Sequence, residues 1–162
     1  MHSKLYLTPT YIFSIMSLFG DAMKISVYNC DPHQRKVVKS AIKTFINHII
    51  SDKFLIDSLN VRIKFVNALN ADGFCEAINF DDDFGAVDYL IEIDADLSEN
   101  NRFLTLAHEI IHVKQYLTGE LSVDHKYWLG KKIKDVDYNS QPWEIEAHNL
   151  EQSVLKSWKT LD

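Results

Sequence analysis

A chain of 162 residues, 46% of them hydrophobic, is one globular domain's worth of sequence and enough to bury a core. Its net charge is −6 with a sequence pI of about 5.6, and its densest basic cluster is only Lys131, Lys132 and Lys134. That excludes the electropositive footprint a nucleic-acid-binding protein carries. Cys30 and Cys75 stand far apart without CxxC spacing, which argues against a metal knuckle and leaves one disulfide or, as the plainer expectation, two reduced thiols.

Residues 1–22 read as an extension set apart from a domain spanning 23–162. The apolar run Tyr11–Phe19 is shorter than the ~20 residues a membrane-spanning helix needs. Lys4 precedes the run, and Gly20-Asp21-Ala22 follows it like a small-x-small cleavage site. The segment therefore reads either as a weak signal peptide or as an upstream start ahead of Met23. The expectation is a cytoplasmic protein, secreted if 1–22 act as a signal, with no membrane partner.

From Met23 the elements follow in order. Ile25 and Val27 alternate with polar residues and predict a strand over Lys24–Asn29. Asp31-Pro32 is a helix start, with Asp as the cap and Pro in the first turn. Val37, Val38, Ala41, Ile42, Phe45, Ile46, Ile49 and Ile50 then recur at helical spacing to about Ser51, leaving His33 and His48 on the solvated side. Val61, Ile63 and Phe65 alternate within a strand over Asn60–Asn67, and a third strand runs from Gly73 to Phe80. Asp81-Asp82-Asp83-Phe84-Gly85 lacks the alternating oxygen spacing of a calcium loop and reads as a solvated turn. Val87–Ile93 is a further strand. Ser98 and Asn100 are cap candidates for a helix that Gly119 closes. A small hairpin around Gly130 pairs Tyr127–Leu129 with Lys132–Ile133, and Pro142-Trp143 opens a last helix. This order predicts an α+β domain. About four strands form a mixed or antiparallel sheet, packed on the long first helix, the central helix and the C-terminal helix.

The central helix carries His108-Glu109-Ile110-Ile111-His112, an H-E-x-x-H pattern. Residues four apart lie one turn apart on the same face, so the two imidazoles can share a zinc ion. Glu109 lies beside them, placed to take a proton from a water held at that metal. Apolar flanks (Phe103, Leu104, Leu106, Ala107, Ile110, Ile111, Val113) bury this helix, and polar side chains in a buried helix need partners.

A catalytic zinc needs a third protein ligand. Glu144 and His148 share a face of the last helix, while Glu146 is rotated about 200° from Glu144. His125, 13 residues after His112, is a further candidate. At six residues past His112, where the metzincin pattern places histidine, stands Thr118, and Gln115 replaces its glycine.

His108–Gln115 together with Pro142–Ala147 resembles the zincin metallopeptidases with a glutamate third ligand, the gluzincins. It also resembles small single-domain peptidase-like proteins of phages and bacteria. The resemblance covers about residues 86–150. It implies a zincin-like fold, Zn²⁺ held by His108, His112 and Glu144, Glu109 as general base, and a peptide or protein substrate. His148 stands where these proteins usually place an acid that orients a ligating histidine. Tyr138, with Tyr127 as the alternative, is the candidate donor to the oxyanion, and Val87–Ile93 is the strand expected to pair with an extended substrate. Two rival readings remain. One is a non-catalytic metal-binding protein on the same scaffold. The other is a SprT-like protease using His125, although Lys126 replaces the usual glycine and no zinc-ribbon cysteines follow. A monomer is expected.

Overall fold

The computed structural model describes residues 23–81 and 85–160. The extension 1–22 and most of the aspartate-rich turn lie outside them. The chain runs β1 (Lys24–Tyr28), α1 (Pro32–Ile49), α2 (Lys53–Ser58), β2 (Asn60–Val66), β3 (Gly73–Asp81), β4 (Gly85–Asp94), α3 (Glu99–Leu117), the hairpin β5 (Tyr127–Trp128) and β6 (Lys131–Lys132), a 3-10 turn at Tyr138–Ser140, and α4 (Pro142–Lys159).

The main sheet has the order β1-β2-β4-β3. β1, β2 and β4 are parallel, and β3 lies antiparallel to β4 at the edge. A parallel β1–β2 pair requires a crossover, and α1 supplies it. The sheet is therefore mixed, with three parallel strands. On β2, Val61, Ile63 and Phe65 are buried, and on β4, Tyr89, Ile91 and Ile93 are buried. The alternate residues form cross-strand ion pairs on the other face, Arg62 with Asp88 and Lys64 with Glu92. α1, α3 and α4 pack together and cover the apolar face.

The helix ends follow local chemistry. Asp31 accepts hydrogen bonds from the His33 and Gln34 amides at 2.8 and 2.9 Å, and so caps α1. Of the two candidates ahead of α3, Ser98 is the cap and Asn100 lies inside the helix. Gly119 ends that helix at φ 71°, a conformation that costs glycine nothing. Leu129 and Gly130 both have positive φ, as the tight turn between β5 and β6 demands. The short helix α2, capped by Asp52, is not anticipated by the sequence reading, because six residues carry too little periodicity to stand out. His33 and His48 are exposed, as expected. No helix among the described residues is long and apolar enough to cross a membrane.

The expected substrate strand needs correction. Val87–Ile93 belongs to β4, which is enclosed between β2 and β3, so both of its backbone edges are engaged. The edge beside α3 is β3. Its Gly73 lies so close to α3 that an added Cβ would sit 2.5 Å from Thr105 Cγ2 and 2.8 Å from Glu109 Oε1.

Candidate metal centre

Among the described residues, the buried polar or charged side chains are His108, Glu109, His112, Gln115 and Glu144. All five belong to α3 and the first turn of α4, which pack against each other. Burial of such groups is costly without partners, and their partners are one another.

The helical spacing of α3 brings His108 Nε2 and His112 Nε2 to 3.2 Å. Glu144, at the start of α4, reaches both: Oε2 lies 3.2 Å from His108 Nε2, and Oε1 lies 3.4 Å from His112 Nε2. The three groups offer ligand atoms within 4.8 Å of one another and could hold a metal ion.

Each imidazole is oriented by a partner on its far side. Glu151 Oε2 lies 2.8 Å from His108 Nδ1. Gln115 Oε1 lies 2.8 Å from His112 Nδ1. The Gln115 amide donates to the Trp143 carbonyl and to Glu146, both at 2.9 Å, so its oxygen is left to accept from His112. Both Nδ1 atoms are engaged by these partners, and both Nε2 atoms are turned toward Glu144.

The sequence reading missed these two partners. Glu151 is seven residues, two helical turns, beyond Glu144 on the same face. That spacing was the available signal, and it does the orienting job expected of the residue at 148. His148 instead contacts Glu151 at 3.3 Å and lies half-exposed with its ring 4.6 Å from that of His108. His108, His148 and Glu151 form a second, more exposed grouping within 4.8 Å.

The other candidates go elsewhere. Glu146 joins Lys114 at 3.3 Å and Gln115, tying α4 to α3. His125 hydrogen-bonds to the Tyr116 hydroxyl and packs near Trp143, outside both groupings. Tyr138 donates from its hydroxyl to Glu144 Oε2. Tyr127 is an exposed residue of β5 and makes no hydrogen bond to the cluster. Cys30 and Cys75 are both free thiols.

The electrostatics match the packing. Burial alone would depress His108, but its hydrogen bonds to Glu144 and Glu151 outweigh that and hold it up at about 9. Burial likewise opposes charge on His112, and the hydrogen bond to Glu144 overrides it, so its pKa is raised. Burial pushes Glu109 up to about 7, against the pull of His112 and His108. Glu144 is held well below the carboxylate range: burial acts against ionisation, but His108, His112 and the Tyr138 hydroxyl stabilise the anion.

The fold and this cluster together define a mixed α/β domain with a buried site of two imidazoles and one carboxylate that could hold a metal ion. No family model matches the chain, and no curated protein or solved structure matches it either.

Proposed function

We propose that the chain is a zinc-dependent peptidase, with His108, His112 and Glu144 as the metal ligands and Glu109 as the general base. The observation that carries this reading is the spacing of the three ligand atoms. Atoms bound tetrahedrally at ~2.0–2.1 Å from zinc are separated by about 3.3–3.4 Å. Here the separations are 3.2, 3.2 and 3.4 Å. Two neutral nitrogens and one carboxylate are also the donor set of catalytic zinc sites that leave one position open.

When bound, zinc supplies a Lewis acid for the scissile carbonyl and lowers the pKa of a water toward neutrality. The rest falls to the chain's own groups. Glu109, buried beside the two imidazoles, would accept a proton from the attacking water and return it to the leaving amine. Glu151 and Gln115 keep the two imidazoles turned toward the ligand position. Tyr138, whose hydroxyl already lies at Glu144, is placed to donate to the developing oxyanion. β3 offers an extended substrate its open backbone edge directly beside Glu109, a role β4 cannot take.

Glu109→Gln tests the reading. Glutamine keeps the side chain's shape and cannot take up the proton, so the variant should retain fold and zinc. It should lose hydrolysis of an unbiased peptide library by ~10²–10⁴-fold. Undiminished cleavage would rule out Glu109 as the base. A parent that binds zinc and cleaves nothing would favour a non-catalytic metal-binding protein.

A further inference from the structure

A chain of contacts leads from the second turn of α4 back to the metal cluster by way of α3. Glu146 stands two residues after Glu144, and a step of two residues turns about 200° around a helix. The same helix therefore offers Glu144 to the two imidazoles and Glu146 to Lys114 and Gln115, near the end of α3.

Glu146 meets these two side chains with different atoms. Its Oε2 accepts from the Gln115 amide at 2.9 Å, and its Oε1 lies 3.3 Å from the Lys114 ammonium. Lys114 in turn reaches Glu120 at 2.6 Å. Gln115 is fully buried, and both ends of its amide are engaged. The nitrogen donates to Glu146 and to the Trp143 carbonyl, while the oxygen faces His112 Nδ1 at 2.8 Å.

The two ends of an amide side chain are nearly alike in shape, so packing alone does not decide which of them faces His112. The partners decide. Turned over, the Gln115 oxygen would face the Trp143 carbonyl and the Glu146 carboxylate, two acceptors with no proton between them. A hydrogen bond to an ionised carboxylate is roughly twice as strong as one to a neutral carbonyl, so Glu146 carries the larger share of the choice. We infer that Glu146 is a positioning residue for the metal. Through Gln115 it keeps an oxygen against His112 Nδ1, and that contact keeps His112 Nε2 turned toward Glu144. The inference rests on the zinc reading of His108, His112 and Glu144, and it adds a residue two contacts removed from the ion.

The ion pair with Lys114 also gives Glu146 a structural role, and two substitutions separate the roles. Glu146→Gln abolishes the ion pair but leaves an amide oxygen to accept from Gln115. Glu146→Ala removes both. Competition with a chromophoric chelator measures zinc affinity in the full chain. Glu146→Ala should bind zinc about tenfold more weakly than the parent, the low end of the ~10–100-fold loss that follows removal of a partner orienting a metal-binding histidine. Glu146→Gln should bind nearly as tightly as the parent. Gln115→Met, close to glutamine in volume but without the amide, should itself bind more weakly. Adding Glu146→Ala to it should change the affinity no further, because residues that act through one another are not additive. Parent-like affinity in Glu146→Ala would overturn the inference. So would equal losses in Glu146→Ala and Glu146→Gln, or additive losses in the double variant. These three outcomes leave the zinc reading standing, whereas a parent that binds no zinc would overturn that reading and this inference with it.

Discussion

Gly73→Ala is the perturbation that most directly tests how β3 is set against α3. The new methyl would lie 2.5 Å from Thr105 Cγ2, 2.8 Å from Glu109 Oε1 and 3.2 Å from Glu109 Cγ. Ordinary contacts begin near ~3.4 Å, so either Thr105 and Glu109 yield by several tenths of an ångström or the edge strand moves away. Overpacking of this kind typically costs about 1–3 kcal/mol. A loss of about 2 kcal/mol lowers the melting temperature of a chain this size by roughly 4–8 °C. Displacing the base by up to ~1 Å can cost about 10²-fold in rate. The methyl touches none of the three metal ligands, so zinc content should be unchanged. A second substitution divides the two effects. Gly73→Ala with Thr105→Ala removes the shortest clash and should recover most of the stability, but the methyl still presses on Glu109 and hydrolysis should remain impaired. Calorimetry, zinc analysis and peptide hydrolysis on the parent and the two variants are the assay. Parent-like stability and activity in Gly73→Ala would refute the close approach of β3 to the base.

Glu144→Ala should lose most of the bound zinc while His125→Ala keeps it, because Glu144 reaches both imidazoles and His125 lies outside the grouping; equal zinc content in the two variants would contradict this ligand set. Glu151→Ala should keep one zinc per chain and weaken its affinity by ~10–100-fold in a chelator competition, as loss of a partner that orients a metal-binding histidine does. The metal-free protein should be pH-sensitive. His108 is raised from 6.5 to about 9, so its contribution to the folded state is fully present below about pH 6.5 and is lost as pH rises through 9. Zinc must displace that proton, so the gain in melting temperature on adding zinc should grow between pH 6.5 and 9; a gain that is flat across this window would show that His108 is not a ligand.

Much of the site is local and therefore legible in the sequence. The i, i+4 pair His108 and His112 fixes one face of α3 whatever surrounds it, whereas the third ligand position stayed open among Glu144, Glu146, His148 and His125 until the packing of α4 on α3 brought Glu144 to both imidazoles. The caps Asp31 and Ser98 and the alternation in β1 and β2 are local in the same sense. What escapes is set by tertiary contact. Sequence proximity to α3 favours β4 as the substrate strand, but whether a strand is central or at the edge depends on which strands pair with it. The near-continuous apolar run Tyr89-Leu90-Ile91 is the trace of β4's interior position, where β3 carries Gly73 and an exposed Phe74. Glu151 escapes for a related reason. The resemblance to gluzincins points to an acid at the fourth position after Glu144 as the partner of a ligating histidine, and His148 fills that position. The helix face continues one turn further, and the packing of α4 on α3 selects Glu151.

One zinc ion held by His108, His112 and Glu144 underlies the proposed function. Anomalous diffraction at the zinc absorption edge, from crystals of the zinc-loaded full chain, measures this directly. One strong peak is expected ~2.0–2.2 Å from His108 Nε2, His112 Nε2 and a Glu144 carboxylate oxygen. A peak held by His148 and Glu151 instead, or no peak at the three buried ligands, would contradict it.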